Sequence, residues 1–207
     1  SVHAGSASAT LRTQLQRAAS GWTLPANAPL QGQLWAQLPR VGVWNVFAPP
    51  GWRLRGTLDA NIAISGTLQS PQLQGALDAN DLGVRSVVDG IAFSGGRLRA
   101  RFNGQRMDID TFSLQGAPWR TGLLGTQRAG GGSVNVSGSV QWGGGQPLLE
   151  SARMQLAGTF DQLQLFTMPD RQMVLSGTLN ASFSGKQLTV RGGLQVNRAP
   201  IELSGGN

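Results

Sequence analysis

The sequence predicts an all-β protein built on a long, antiparallel-rich sheet with one dry face and one wet face. Three observations lead there. Apolar and polar residues alternate with period two over long runs, two hairpins can be registered residue by residue, and glycines punctuate the runs where turns and bulges belong.

The alternation is cleanest from Leu54 to Ile64. Leu54, Gly56, Leu58, Ala60, Ile62 and Ile64 take one side; Arg55, Thr57, Asp59, Asn61 and Ala63 take the other. The same pattern returns at Leu98/Ala100/Phe102, Val134/Val136/Val140/Trp142 and Met154/Leu156/Phe160. It recurs at Leu175/Leu179/Ala181/Phe183 and at Leu188/Val190/Leu194/Val196. Strands buried on both faces, as in parallel α/β sheets, would read as unbroken apolar runs instead.

Asn103-Gly104 is the strongest two-residue hairpin signal in the chain. A turn there pairs Phe102 with Gln105, Ala100 with Met107 and Leu98 with Ile109. The wet face then sets Arg99 opposite Asp108 and Arg97 opposite Asp110, leaving Arg101 against Arg106 as the one mismatch. A second turn at Gly185-Lys186 pairs Phe183 with Leu188, Ala181 with Val190 and Leu175 with Val196. Two hairpins with the same logic predict an antiparallel meander.

At most one or two short helices are expected. Residues 39–47 carry apolar side chains near helical spacing and end before Pro49-Pro50, which predicts a short amphipathic helix. Leu11 to Leu15 reads as strand. Gly130-Gly131-Gly132 and Gly143-Gly144-Gly145 flank the strand around 133–142, and the first is the expected joint. It divides the chain into segments 1–129 and 130–207. The closing Gly205-Gly206-Asn207 falls where another strand should follow, so the chain reads as a segment of a longer one.

Composition narrows the function. The 207 residues include 30 Gly and 10 Pro but only 13% charged residues, so Gln, Ser, Thr and Asn carry solubility, as on the outer face of a large sheet. The absence of Cys excludes disulfides, thiol nucleophiles and cysteine-held metals. One His and no Tyr leave little acid–base equipment for neutral pH, and His3 has no Asp, Glu or second His nearby. No cofactor or metal is expected, and an enzyme is the least favoured class. Asp108 and Asp110 share a face but meet arginines, so they read as surface ion pairs. Gly185-Lys186 continues with Gln187 and is not a phosphate-binding loop. The sequons at Asn135 and Asn180 lie mid-strand and carry no weight. The net charge of +7 comes from 16 Arg and one Lys dispersed along the chain, and the Trp and Phe residues form no base-stacking signature, so nucleic acid is not an expected partner. No apolar run is long enough to cross a bilayer as a helix.

One-sided strands must cover their apolar face. The pattern alone favours two such faces closing on each other as a sandwich. The alternative is an open groove, which is costly unless it binds something apolar.

A resemblance bears on that choice. Gly56-Thr57-Leu58-Asp59-Ala60, followed by Ser65-Gly66-Thr67-Leu68-Gln69-Ser70-Pro71-Gln72-Leu73-Gln74-Gly75-Ala76-Leu77, resembles a phrase that recurs in the TamB family and its AsmA-like relatives. Val88-Asp89-Gly90-Ile91-Ala92-Phe93 with Gly96-Arg97-Leu98, residues 168–179 and residues 188–201 are similar to further family phrases. The resemblance implies a sheet curled into a U-shaped apolar trough, a β-taco. It implies a periplasmic segment of a protein anchored in the inner membrane outside this stretch. The implied function is carriage of phospholipid acyl chains between inner and outer membrane in outer-membrane biogenesis. The implied partner besides lipid is a TamA-like outer-membrane protein, met through regions outside these residues. Read this way, the groove is lined by Leu54, Leu58, Ile62, Ile64, Leu98, Phe102, Val136, Val140, Leu156, Phe160, Leu175, Leu179, Phe183, Leu188, Val190 and Leu194. Two other readings stand beside it. One is a scaffold that helps assemble outer-membrane proteins by adding their strands to its sheet edge. The other is a structural β domain of a surface protein.

Overall fold

The computed structural model describes residues 5–19, 21–39, 50–86, 88–116, 120–121, 126–127, 131–143, 148–166, 173–185 and 187–197. The chain opens with β1 (Ser6–Thr13), β2 (Gln16–Ala18), β3 (Gly21–Thr23), β4 (Leu30–Leu38) and β5 (Trp52–Gly66). Then come β6 (Pro71–Ser86), β7 (Ile91–Gly104), β8 (Arg106–Gly116), β9 (Arg120–Thr121) and β10 (Thr126–Gln127). It continues with β11 (Ser133–Gln141), a single helical turn α1 (Leu148–Ser151), β12 (Arg153–Gln164), β13 (Val174–Ser184) and β14 (Gln187–Asn197). The helix expected over 39–47 lies outside the described residues, apart from Pro39.

Ten strands form one antiparallel sheet in the order β1-β4-β5-β6-β7-β8-β11-β12-β13-β14. The two edge strands do not pair with each other, so the sheet is open and not a barrel. It runs without a break past residue 130, because β8 pairs directly with β11. The remaining described pairings are the small β2–β3 and β9–β10 ribbons. The sandwich favoured by alternation alone does not form. Each strand of the main sheet pairs with the next one along it, and none crosses to a second sheet that could lie on the apolar face.

What shelters that face is curvature. Alanine is too small to shield itself, so it reports the shape of the surface around it. In β5, Ala60 on the apolar side is 6% exposed while Ala63 on the polar side is exposed. In β6, Ala79 and Ala76 show the same contrast. Cα atoms of β8 come within 8 Å of β6 and of β12 although a strand lies between in each case. Two strand spacings on a flat sheet would be about 9.6 Å. The sheet is therefore bent around β8, and the buried apolar residues mark its inner side.

Both hairpins form, and one differs in register. The β13–β14 hairpin pairs Phe183 with Leu188, Ala181 with Val190 and Leu175 with Val196, as expected from alternation. In the β7–β8 hairpin, Phe102 lies opposite Met107 and Arg101 opposite Asp108, a slip of two residues from the tight Asn103-Gly104 turn. The slip keeps every side chain on its own face, since strands alternate with period two. It also removes the Arg101–Arg106 opposition, because like charges directly opposite are destabilising and Arg against Asp is not.

Four strands, β6, β7, β8 and β12, contain an extra residue, in β7 at Gly95, and each preserves the facing. Ala79 and Leu82 in β6, Ile109 and Phe112 in β8, and Phe160 and Leu163 in β12 are three apart, so strict alternation would place one of each pair outside. Bulges in the β6–β7, β7–β8 and β12–β13 ladders return all of them to the apolar side. In two of these bulges a non-glycine residue takes positive φ, Asp81 at 51° and Gln162 at 46°.

Gly75 illustrates what the curl demands. It lies on the apolar face between Ile62 and Phe102, with φ at 143°. A Cβ there would run into the carbonyl oxygen of Asn61. Gly104 has φ at 67° but open space around it, so Asn, which tolerates that region, fits there. Gly75→Ala is expected to cost about 1–3 kcal/mol, the usual range for a strained backbone. It should lower the melting temperature by several degrees in circular-dichroism melts, with Gly104→Asn much closer to wild type.

Candidate functional site

The feature most able to act on another molecule is the inner face of the sheet. Its continuity follows from register, because residues directly opposite across a ladder share a face. One transverse row runs Ala9, Leu34, Ile62, Gly75, Phe102, Met107, Val140, Met154, Phe183, Leu188. It crosses all ten strands without a polar side chain. A second row runs Leu38, Leu58, Ala79, Leu98, Phe112, Val136, Gly158, Leu179, Gly192. In the second row Ala79 stands between Leu58 and Leu98 and Gly158 between Val136 and Leu179, whereas the first row is large throughout from Phe102 to Leu188.

All sixteen residues expected to line a groove fall on this one face. Leu54 is opposite Val84, Ile64 opposite Leu73, Leu156 and Val190 each opposite Ala181, Leu175 opposite Val196, and Leu194 opposite Gly177, which is itself opposite Phe160. Their depth differs. Ile62 is 5% exposed, Leu188 and Val190 on the edge strand are 60% and 55% exposed, and most of the others are half-buried. Half-burial of large aliphatics is what a curved, single-layer surface produces. Leu34, Leu73, Val84 and Phe112, which were not expected there, stand among the sixteen, as does Met107, which the hairpin reading places on the dry face. Val84 and Phe112 follow bulges that reverse the parity of their strands, so simple alternation cannot find them.

Trp142 ties the curl at one rim. It follows Val140 by two residues and so sits at the end of the apolar rows. Its Nε1 donates to the carbonyl of Pro71 at 2.7 Å, and its backbone N–H donates to the carbonyl of Gln105 at 3.0 Å. Between β11 and β6 lie β8 and β7, a path of about 14 Å along a flat sheet and longer than an indole reaches. The hydrogen bond therefore spans the tip of the β7–β8 hairpin from the inner side. At the opposite rim, Gly131 and Gly132 accept from the N–H groups of Gln164 and Gly116 at 2.7 and 3.0 Å, drawing β12 and β8 together.

The outer face is polar and partly charged. Arg101 forks onto Asp110 with both contacts at 2.6 Å, Arg106 meets Asp108 at 2.7 Å, and Arg99 reaches Asp78 on β6 at 2.9 Å. Asp108 and Asp110 thus have Arg106 and Arg101 as partners, where the tight turn would have given Arg99 and Arg97. The two-residue slip and the bulged Asp110 account for the exchange. The hydrogen bond from Arg101 holds the Asp110 carboxyl below the usual carboxylate range, and Arg106 does the same for Asp108. Across β11–β14 the outer face has a shallow hollow of about 660 Å³ edged by Ser137, Gln155, Asn180, Ser182 and Arg191. Its hydroxyls and amides offer hydrogen bonds but no nucleophile–base pair. Among the described residues no three His, Asp or Glu side chains gather to hold a metal.

Two outcomes test this geometry. Trp142→Phe keeps the ring and removes the N–H, so it should cost about 1 kcal/mol and speed hydrogen exchange around residues 71 and 105. The depressed carboxylates stabilise the fold above the unfolded carboxylate range, and that contribution is lost as pH falls through their lowered folded values. Melting temperature should therefore stay flat from pH 8 to 5 with respect to these pairs and fall below about pH 4. Asp108→Asn with Asp110→Asn should flatten part of the acid limb in the same melts.

Residues 121–207 match the family model of the TamB C-terminal domain. No solved structure matches the chain. Among the described residues no helix is long and apolar enough to cross a membrane.

Proposed function

We propose, for a chain whose residues 121–207 belong to the TamB family, that the curved apolar face is a path for phospholipid acyl chains. The family is a transport and assembly component of the outer membrane, works with a TamA-like partner and is not a known enzyme family. It implies a periplasmic segment of a membrane-anchored protein. The observation that carries the finer reading is the pair of transverse rows, one apolar from edge strand to edge strand and the other from β4 to β14, with no second layer over them among the described residues. Ten strands at ~4.8 Å give a surface about 45 Å long. An acyl chain on it gains about 0.8 kcal/mol per buried CH₂ and can slide without re-entering water. Aliphatic walls read shape rather than headgroup, so selectivity among phospholipids should be low. On this reading the chain forms a β-taco segment and 1–129 and 130–207 are consecutive lengths of one trough.

Photo-crosslinkers at Leu98, Phe102 and Leu179 should capture phospholipid in cells, and those at Thr57 and Arg99 on the outer face should not. Leu179→Arg places a charge near the β14 end of the second row and should abolish capture at the neighbouring Phe183 and Leu194 while β13–β14 pairing persists. Equal labelling from both faces would sink the conduit.

A second reading rests on β14. It pairs on one side only among the described residues, and its Leu188, Val190 and Val196 are 60%, 55% and 49% exposed. An open apolar edge of that kind accepts an added strand, so assembly of outer-membrane proteins by strand addition is the alternative. It requires that proline in β14, at a residue whose N–H points away from β13, harms function more than Leu98→Arg, a charge in the trough far from that edge, does.

A further inference from the structure

The exposed apolar residues of the chain are not confined to the trough. Between β1 and β4 the chain leaves the main sheet as the β2–β3 hairpin, in which Arg17 lies opposite Trp22. Leu15 and Leu24 flank the hairpin just outside its strands, each two residues from this pair. Trp22 is 71% exposed, Leu15 58% and Leu24 48%, and Arg17 is exposed beside them. A Trp and two leucines are thus presented outward together with a cation.

This projection is built. Ala28 at its base is 2% exposed and accepts a hydrogen bond from Leu68 N–H at 3.1 Å, while Ala26 accepts from Gln69 N–H at 2.8 Å. Pro29 bridges to Thr67. The segment that follows the hairpin is therefore seated on the β5–β6 turn, at the rim that also carries Trp142, and Trp22 is left exposed.

Charge points to what it meets. Of the net charge of +7, +5 lies in residues 1–58, which contain no Asp or Glu; Arg12 and Arg17 stand at this rim, whereas Arg53 and Arg55 lie at the opposite end of β5. The rest of the chain is nearly balanced. A Trp- and Leu-bearing tip within a stretch free of carboxylates has the composition of an interfacial anchor. The indole and leucines sit at the headgroup boundary, and arginines meet anionic lipid.

We propose that the β2–β3 hairpin docks this rim of the protein on an anionic phospholipid bilayer surface. The hairpin acts from outside the trough, so the proposal stands or falls separately from acyl-chain carriage.

Flotation of the 207-residue chain with vesicles provides the test. Equimolar phosphatidylglycerol and phosphatidylcholine vesicles should carry the protein upward, pure phosphatidylcholine vesicles should not, and raised salt should release it. Arg17→Gln should weaken partitioning about fivefold, the effect of one cation near an anionic surface. Trp22→Ser should weaken it further, with the far-ultraviolet circular dichroism of both variants unchanged. Leu179→Arg, which charges the trough, should float like wild type. The proposal is overturned if wild type ignores anionic vesicles, binds neutral ones equally well, or binds unchanged when Arg17 and Trp22 are replaced. Should Trp22→Ser fail to fold, Arg17→Gln and the salt dependence still decide it.

Discussion

Ten strands without a second layer depend on one constraint: every ladder must deliver its apolar side chains to the same side. In a sandwich, a side chain that faces the wrong way meets solvent on one sheet only, and the opposing sheet still covers the rest. Here nothing covers the face among the described residues except its own curvature and its own neighbours. Register is thus the interaction on which the fold rests, since a one-residue slip in any ladder would interrupt both transverse rows at once. The four bulges around Asp81, Gly95, Asp110 and Gln162 are where that constraint is met against the local sequence. Each absorbs an extra residue that would otherwise reverse the facing for the remainder of its strand.

Curvature and small residues go together on the inner face. Bending a sheet crowds the side chains on its concave side, and Gly75, Ala79 and Gly158 stand beside Ile62, Leu98 and Leu179 there. The outer face has the opposite problem, with side chains spread apart and wet. It is held by arginine–carboxylate forks that are exposed and individually weak. Stability then resides in the backbone ladders and the inner rows. The stretch that matches the TamB C-terminal domain model, residues 121–207, supplies β11 to β14 of that face.

Much of the candidate site was legible in the sequence because a strand's facing is a local property. Leu175, Leu179 and Phe183 declare their side by alternation alone, and the β13–β14 register followed from a two-residue turn. The β7–β8 hairpin was legible only to within two residues. Asn103-Gly104 marks the turn correctly, but the choice between a tight and a wider loop turned on whether Arg101 would face Arg106 or Asp108. Leu82, Phe112 and Leu163 were not legible at all, because a bulge is set by the partner strand's demand for pairing and leaves no period in the sequence.

By itself the sequence determined that the chain is β throughout most of its length, that its strands have one dry side, and which residues occupy that side in the unbulged stretches. Those properties depend on side-chain alternation and turn chemistry, which act over a few residues. Whether two dry faces would close on each other or one would remain open was decided only by the tertiary structure. That choice depends on the order in which strands pair and on how far the sheet bends, and both are set by contacts between residues distant in the chain, such as Trp142 with Pro71 and Gly131 with Gln164.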